Sequence, residues 1–234
     1  MLVVAAHDEA DRIAATLAAL ASAFPGAPIW VADDGSRDAT AEIARAAGAR
    51  VVRSERVIGK GAAVTRAARE ALQHAHMTAH EPAATTRDPD HRSIFVLCDG
   101  DLGDSAAALS ALADAVAHGD ADVAVAAFAK RVGGGVGLAL GFARWAIRRR
   151  CGLRTNAPIS GQRALSERAL QDVLPFAHGF GMEIGITIDA VRAGHRLVEI
   201  ELDLAHRATG RTLAGFVHRG RQLIDFVRVY IARR

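Results

Sequence analysis

Ile94-Phe95-Val96-Leu97-Cys98-Asp99-Gly100-Asp101 is a short apolar run that empties into two carboxylates one residue apart. Its length and its turn residues predict a buried strand rather than a helix. Two acids at a strand end repel each other and gain nothing from packing. Either they form a solvated turn in which Asp99 or Asp101 caps the following helix, or a cation offsets them. A divalent metal answers the second need, because hard cations take oxygen ligands and bridge to phosphate oxygens. Mg2+ or Mn2+ holding a diphosphate is the natural occupant.

The same pattern recurs on both sides of this stretch. Leu2 to Ala6 runs into His7-Asp8-Glu9, and Ile29 to Ala32 runs into Asp33-Asp34-Gly35-Ser36. Arg50 to Val52, Val123 to Phe128 and Arg196 to Leu204 are further predicted strands. Apolar spacings of three and four predict helices over Ala10 to Phe24, Ala39 to Ala47, Ala62 to His74 and Ser105 to His118, a further helix is read over Leu138 to Arg150, and Ala169 to Leu174 resumes the pattern after it. Another helix lies within Gly179 to Gly194. This alternation predicts an α/β fold, a mostly parallel sheet flanked by helices on both faces. Ligands of such sheets sit at the carboxyl ends of the strands, where all three acidic clusters lie. Asp33 and Asp34 there suit hydrogen bonds to a base or ribose, although Asp38 also reads as an N-cap and Gly35 as a turn. Gly59-Lys60-Gly61 opens a helix, so Lys60 sits at a positive helix terminus suited to phosphate. It is not a P-loop, which needs four residues between the glycines and Ser or Thr after the lysine.

The chain has 234 residues, half of them hydrophobic and about a quarter charged, which suits one domain over 1–234. Residues 1–128 form its nucleotide-sugar half, if the acidic loops hold a nucleotide, and 129–234 its acceptor half and C-terminal helix. No apolar stretch reaches the ~20 residues of a membrane span, and Met1-Leu2-Val3-Val4 enters a strand without a secretory pattern. A cytoplasmic location is expected. Cys98 and Cys151 read as ordinary thiols. The basic residues number 29, and all except Lys60 and Lys130 are Arg. That gives a mildly basic surface or one drawn to phosphates and anionic membranes. A single tyrosine and no basic stripe exclude a nucleic-acid partner. His74 to Arg92 lacks periodicity and reads as an exposed loop. Gly133-Gly134-Gly135-Val136-Gly137 reads as a mobile loop near an acceptor. The closing helix, Leu213 to Ala232, gathers Phe216, Leu223, Val227 and Tyr230 near one face. It packs on the domain or lies on an anionic membrane.

Taken together, Asp8-Glu9, Asp33-Asp34-Gly35-Ser36, Gly59-Lys60-Gly61 and Asp99-Gly100-Asp101 resemble the donor half of GT-A glycosyltransferases of the family-2-like group. The runs Pro175 to Gly185, Ile188-Asp189 and Ala205-His206-Arg207 are similar to those of glucosyl-3-phosphoglycerate synthases, although Asp34 stands where that family has serine. Ser160-Gly161-Gln162-Arg163 resembles polyprenyl-phosphate enzymes instead. The resemblance implies a metal held by Asp101 and His206, and a uridine held by Asp8, Glu9, Asp33, Asp34 and Ser36. It also implies donor contacts from Asp99 and Gly100, with Lys60 at the donor phosphates. Glu183 falls near the sugar, orienting it or acting as base. The implied reaction moves a hexose from a nucleotide-diphosphate sugar, UDP-linked, to a phosphorylated small molecule or a lipid phosphate.

An inverting attack by a hydroxyl normally needs a carboxylate base. Met182-Glu183-Ile184 lacks the adjacent Asp of many inverting relatives, which leaves an already anionic acceptor or a retaining reaction. Arg163, Arg207 and Arg211 are candidates to clamp the acceptor's oxyanion. Two other classes stay open. A nucleotidyltransferase would need a Gly-rich loop after the first strand, where Ala5-Ala6-His7-Asp8-Glu9 stands. A noncatalytic module binding anions or a membrane surface would not need Asp101, Lys60 and His206 together. Whether the chain works as a homodimer or at the inner face of the membrane is not decided by sequence.

Overall fold

The computed structural model describes residues 1–79, 93–128, 138–204 and 213–233, with 213–222 described by backbone alone. Seven strands form one sheet, in the order β3-β2-β1-β4-β6-β5-β7. β1 (Leu2–Ala6) pairs in parallel with β2 (Ile29–Asp33) and β4 (Ile94–Asp99), and β3 (Arg50–Arg53) continues beyond β2. β5 (Val123–Phe128) is parallel to β7 (Leu197–Leu202). Between the two groups runs β6 (Arg163–Ser166), antiparallel to β4 and to β5.

β6 is absent from the sequence reading. It has four residues, too few to display a period, and it begins with an arginine that sequence logic assigns to the surface.

Alternation along the central strands sends side chains to two cores. Leu2, Val4, Val31, Val96 and Cys98 face α1 (Ile13–Ala23), the 3-10 turn Gly103–Leu109 and α4 (Ser110–Ala117). Val3, Trp30, Ala32, Phe95 and Leu97 face α3 (Lys60–Ala79), α6 (Glu167–Val173) and α7 (Met182–Arg192). Burial on both faces explains why these strands read as continuous apolar runs. α2 (Thr40–Ala46) follows β2, and a third cluster joins α5 (Leu138–Cys151), α7 and α8 (Leu213–Ala232) through Ala143, Ile147, Ile184, Ile188, Phe226 and Val229.

Three sequence expectations change. The loop predicted from His74 is helical as far as Ala79, because Ala75 is buried, the His74 ring lies 5.3 Å from that of Trp30, and His76 Nε2 meets Glu167 Oε1 at 2.8 Å. Tertiary packing overrides the lost periodicity there; residues 80–92 lie outside the described residues. The helix predicted over Ser105 to His118 starts as a 3-10 turn. Among the described side chains of α8, Phe226 and Val229 are buried against α5 and α7, whereas Leu223 of the predicted stripe is exposed; Phe216 lies outside them. Hydropathy alone does not say which apolar stripe a neighbour will cover.

Candidate functional site

The chain proceeds from β1 to β2 and β3 on one side, then returns to place β4 on the other side of β1. The loops after β1 and β4 therefore diverge, and a crevice opens at this switch point. A cleft of about 390 Å3 occupies it, lined by His7 and Glu9 after β1, Asp34 after β2, Asp99, Gly100 and Asp101 after β4, Lys60, Ala63 and Val64 of α3, and Phe180.

Backbone geometry seats the β4 carboxylates. The Gly100 amide donates to Ala5 O at 2.8 Å, and a side chain at Gly100 would stand 3.2 Å from that same oxygen. Thr16 of α1, fully buried, donates its hydroxyl to Gly100 O at 2.8 Å and accepts from the Gly103 amide at 2.8 Å. One hydroxyl thus closes the turn that carries Asp101. Nothing in the sequence singles out Thr16, which sits in an Ala-rich helix.

The first two loops are stitched together. The Asp8 amide donates to Ser36 Oγ at 3.0 Å, and the Arg37 amide donates to Asp8 Oδ1 at 2.7 Å. The Glu9 amide donates to Thr40 Oγ1, and the Ala10 amide to Asp38 Oδ2. Asp8 occupies the left-handed region at φ 55°, a conformation an aspartate tolerates better than most residues. Asp38 also receives the Thr40 amide, as expected of a residue ordering a helix start.

Asp33 and Asp34 separate in role. Asp33 is fully buried, accepts from the Ser36 amide at 3.0 Å and lies 3.2 Å from Arg53 Nε. Asp34 lines the cleft, and its carboxylate accepts from the Ile58 amide at 2.7 Å and the Gly59 amide at 2.9 Å. Asp34 therefore fixes the turn that delivers Lys60.

Lys60 Nζ lies 2.7 Å from Asp99 Oδ1 and 2.8 Å from Glu183 Oε1. Burial disfavours its charge, but Asp99 and Glu183 outweigh burial and raise its pKa above the ordinary lysine value. The other Asp99 oxygen accepts from Gln162 Nε2 at 2.8 Å. Above this pair lies Gly161, where an added Cβ would stand 2.8 Å from Lys60 Nζ and 2.9 Å from Asp99 Oδ2. Gln162 belongs to a quoted motif, but only folding reveals its contact with β4. Glu183 is buried behind Lys60 and paired with it.

Arg163 does not serve as an acceptor clamp. It is fully buried, with Nε donating to Ser160 O at 2.8 Å and Nη1 to Thr187 Oγ1 at 2.9 Å, while Nη2 has no hydrogen-bond partner. Burial pulls its pKa down to about 10, against the opposing effects of Glu183 and Glu199. It ties the Ser160–Gln162 segment to α7. The segment's other end is held by Glu199, which accepts from the Asn156 amide, the Ala157 amide and the Thr155 hydroxyl.

His206, Arg207, Arg211 and the glycine run 133–137 lie outside the described residues. Both cysteines are free; burial, with Asp99 nearby, raises the Cys98 pKa. Among the described residues, no helix is long and apolar enough to cross a membrane.

The family model for glycosyl transferase family 2 matches residues 1–168. Solved structures similar to the chain include glucosyl-3-phosphoglycerate synthase from Mycobacterium tuberculosis with Mn2+, UDP-glucose and glycerol 3-phosphate, at 26% identity and TM-score 0.70, covering 100% of this chain and 80% of that one. The same synthase with Mg2+ and UDP matches at 26% identity and TM-score 0.73, covering 99% and 78%. With Mn2+, UDP and glucosyl-3-phosphoglycerate it matches at 25% identity and TM-score 0.68, covering 100% and 80%. No curated protein matches the chain. With the family model matched over residues 1–168 of 234, the chain belongs to glycosyl transferase family 2, an enzyme of glycosyl transfer.

Proposed function

We propose that this chain transfers a hexosyl group from a UDP-sugar to a small phosphorylated acceptor, with Mg2+ or Mn2+ at the donor diphosphate. The observation that carries the reading is the junction of Lys60, Asp99 and Glu183 in a cleft that also presents Asp101 at the sheet's switch point. The similar synthase structures hold UDP-glucose, a divalent metal and glycerol 3-phosphate or phosphoglycerate, which supports this choice of donor and acceptor class.

The residues present fit a hard cation. Asp101 offers carboxylate oxygens in the cleft, while no three His, Cys, Asp or Glu side chains converge among the described residues. So few protein ligands suit a metal held largely by phosphate oxygens and water. Asp101 would hold it, with His206 as the further ligand. Bound there, the cation supplies electrostatic stabilisation of the leaving diphosphate.

The chain's own groups divide the remaining work. Glu9 and Asp34 border the nucleoside end of the cleft, and Asp8, Asp33 and Ser36 hold that loop pair in shape. The Lys60 ammonium has three protons, of which Asp99 and Glu183 take two; it approaches the donor phosphates with the third. Glu183 lies behind Lys60 and acts as a positioning residue. Glu183 has no acid beside it in Met182-Glu183-Ile184, which suits either a retaining transfer or an acceptor that is already anionic.

Calorimetric titration of UDP and GDP, each with Mn2+, Mg2+ or EDTA, tests the donor site on the wild type and Asp101→Ala. UDP binding that needs metal and is lost in the variant is expected. UDP-glucose is then offered with 3-phosphoglycerate, glycerol 3-phosphate or a polyprenyl phosphate. Turnover only with the polyprenyl phosphate would move the acceptor to lipid, and absence of metal-linked nucleotide binding by folded protein would overturn the whole reading.

A further inference from the structure

The described surface has one region where large apolar side chains and unpaired-sign charge coincide, on α5 and α8. Trp145 of α5 is 50% exposed, and Ile224 and Ile231 of α8 are 52% and 51% exposed. The Trp145 and Tyr230 rings are 4.8 Å apart at the α5–α8 seam, and Ile224 and Ile231 lie on the adjoining outward stripe of α8, about 100° further round the helix. Ile224, Arg228 and Ile231 follow the i, i+4, i+7 spacing of a single helical stripe.

The exposed charge on α5 has one sign. α5 carries Arg144, Arg148, Arg149 and Arg150 and no acid. Arg148 and Arg149 lie three and four residues after Trp145 and are exposed beside it. The guanidinium of Arg150 sits 3.7 Å from the centre of the Tyr230 ring. The carboxylate on α8, Asp225, turns inward, accepting from the Phe180 amide at 3.2 Å and pairing with Arg228 at 3.4 Å.

We propose that the α5–α8 face docks on an anionic lipid bilayer. Apolar side chains ringed by arginines, with a tryptophan and a tyrosine at the boundary, match a layer whose surface is negative and whose interior is apolar. A second copy of this face is the poorer occupant, since a two-fold contact would set its arginines against their own equivalents. The geometry also links the face to the cleft. Asp225 holds Phe180, a cleft-lining residue, so docking places the cleft mouth one helix away from the lipid surface.

The test is sedimentation of the full chain with vesicles of phosphatidylcholine alone and with phosphatidylglycerol added, alongside tryptophan emission. Trp30 is buried, so a blue shift on vesicle addition reports Trp145. Binding is expected only with phosphatidylglycerol, weakening as salt rises. Arg148→Ala is expected to weaken it about fivefold, and Arg148→Ala with Arg149→Ala about twentyfold. Trp145→Ser should bind less and lose the shift. No sedimentation of folded protein with anionic vesicles overturns the proposal. So does equal binding to neutral vesicles, or a concentration-dependent dimer that shifts Trp145 emission without lipid. Metal-linked UDP binding is measured on the same samples, so failure at lipid is distinct from failure of the donor site.

Discussion

Lys60 Nζ sits 2.8 Å from Glu183 Oε1, a contact that joins the first residue of α3 to the first turn of α7 across 123 residues of sequence. A cation at a helix N-terminus opposes the helix dipole. Its position is maintained because Glu183 and Asp99 both accept from it, each less exposed than a free surface carboxylate. The three charges form a small network that fixes the donor end of the cleft before any ligand arrives.

Removing the cation should expose that dependence. Lys60→Ala leaves two partly buried carboxylates facing each other, and we expect a stability loss of about 1–3 kcal/mol. Urea denaturation measures it, and UDP titration should show binding weakened at least tenfold. A variant as stable as the wild type would mean that the network contributes nothing to the fold.

Two glycines near this network should separate stability from activity. At Gly61 an added Cβ would stand 1.8 Å from the Ala177 carbonyl, a backbone atom that cannot swing aside. Gly61→Ala should therefore cost about 1–3 kcal/mol by overpacking. At Gly161 the obstacles are two side-chain ends, the Lys60 ammonium and the Asp99 carboxylate. Gly161→Ala should keep its melting temperature within a few degrees while its kcat/KM falls tenfold or more, because Lys60 is displaced from Asp99. Equal behaviour of the two variants in thermal melts would contradict this.

Thr16→Val removes a hydroxyl that serves both Gly100 and Gly103 without changing side-chain shape. Two buried backbone groups lose their partner, at about 1–3 kcal/mol in total. The larger effect is expected on metal affinity, since the turn carrying Asp101 loosens. Titration of Mn2+ in the presence of UDP should show weaker metal binding, and a metal affinity equal to that of the wild type would overturn this.

Acid should release the segment before β6. Burial works to raise the pKa of Glu199, but its hydrogen bonds from Thr155, Ala157 and Asn156 prevail and hold it below its ordinary 4.5. A carboxylate with a depressed folded pKa contributes stability above its unfolded value and loses it as pH falls through the folded one. Hydrogen exchange at the Asn156 and Ala157 amides should thus show constant protection above pH 4.5 and declining protection below it. Glu199→Gln should flatten that dependence. Protection that declines equally in both proteins would assign the effect to another group.

The acidic edge of the sheet was legible in sequence because its carboxylates sit where strands end. β1, β2 and β4 are buried on both faces, so each appears as an apolar run, and Glu9, Asp34 and Asp101 follow directly as the acids that cannot be part of it. Local pattern and local structure coincide there. Lys60 was found for the same reason, as the residue between two glycines that opens a helix. The partners of these residues were not legible. Gln162 reaches Asp99 only because β6 runs antiparallel beside β4, Glu183 reaches Lys60 only because α7 packs on α3, and Arg163, read as a surface clamp, is drawn into the core by Thr187 and the Ser160 carbonyl. Such contacts depend on strand order and helix packing across long separations, which no local periodicity encodes. The sequence by itself determined which acids had to leave the strands and gather at one edge of the sheet, through the cost of burying charge. Only the tertiary structure decided which of them hold one another in place, because that depends on distances set by the packing of the whole sheet.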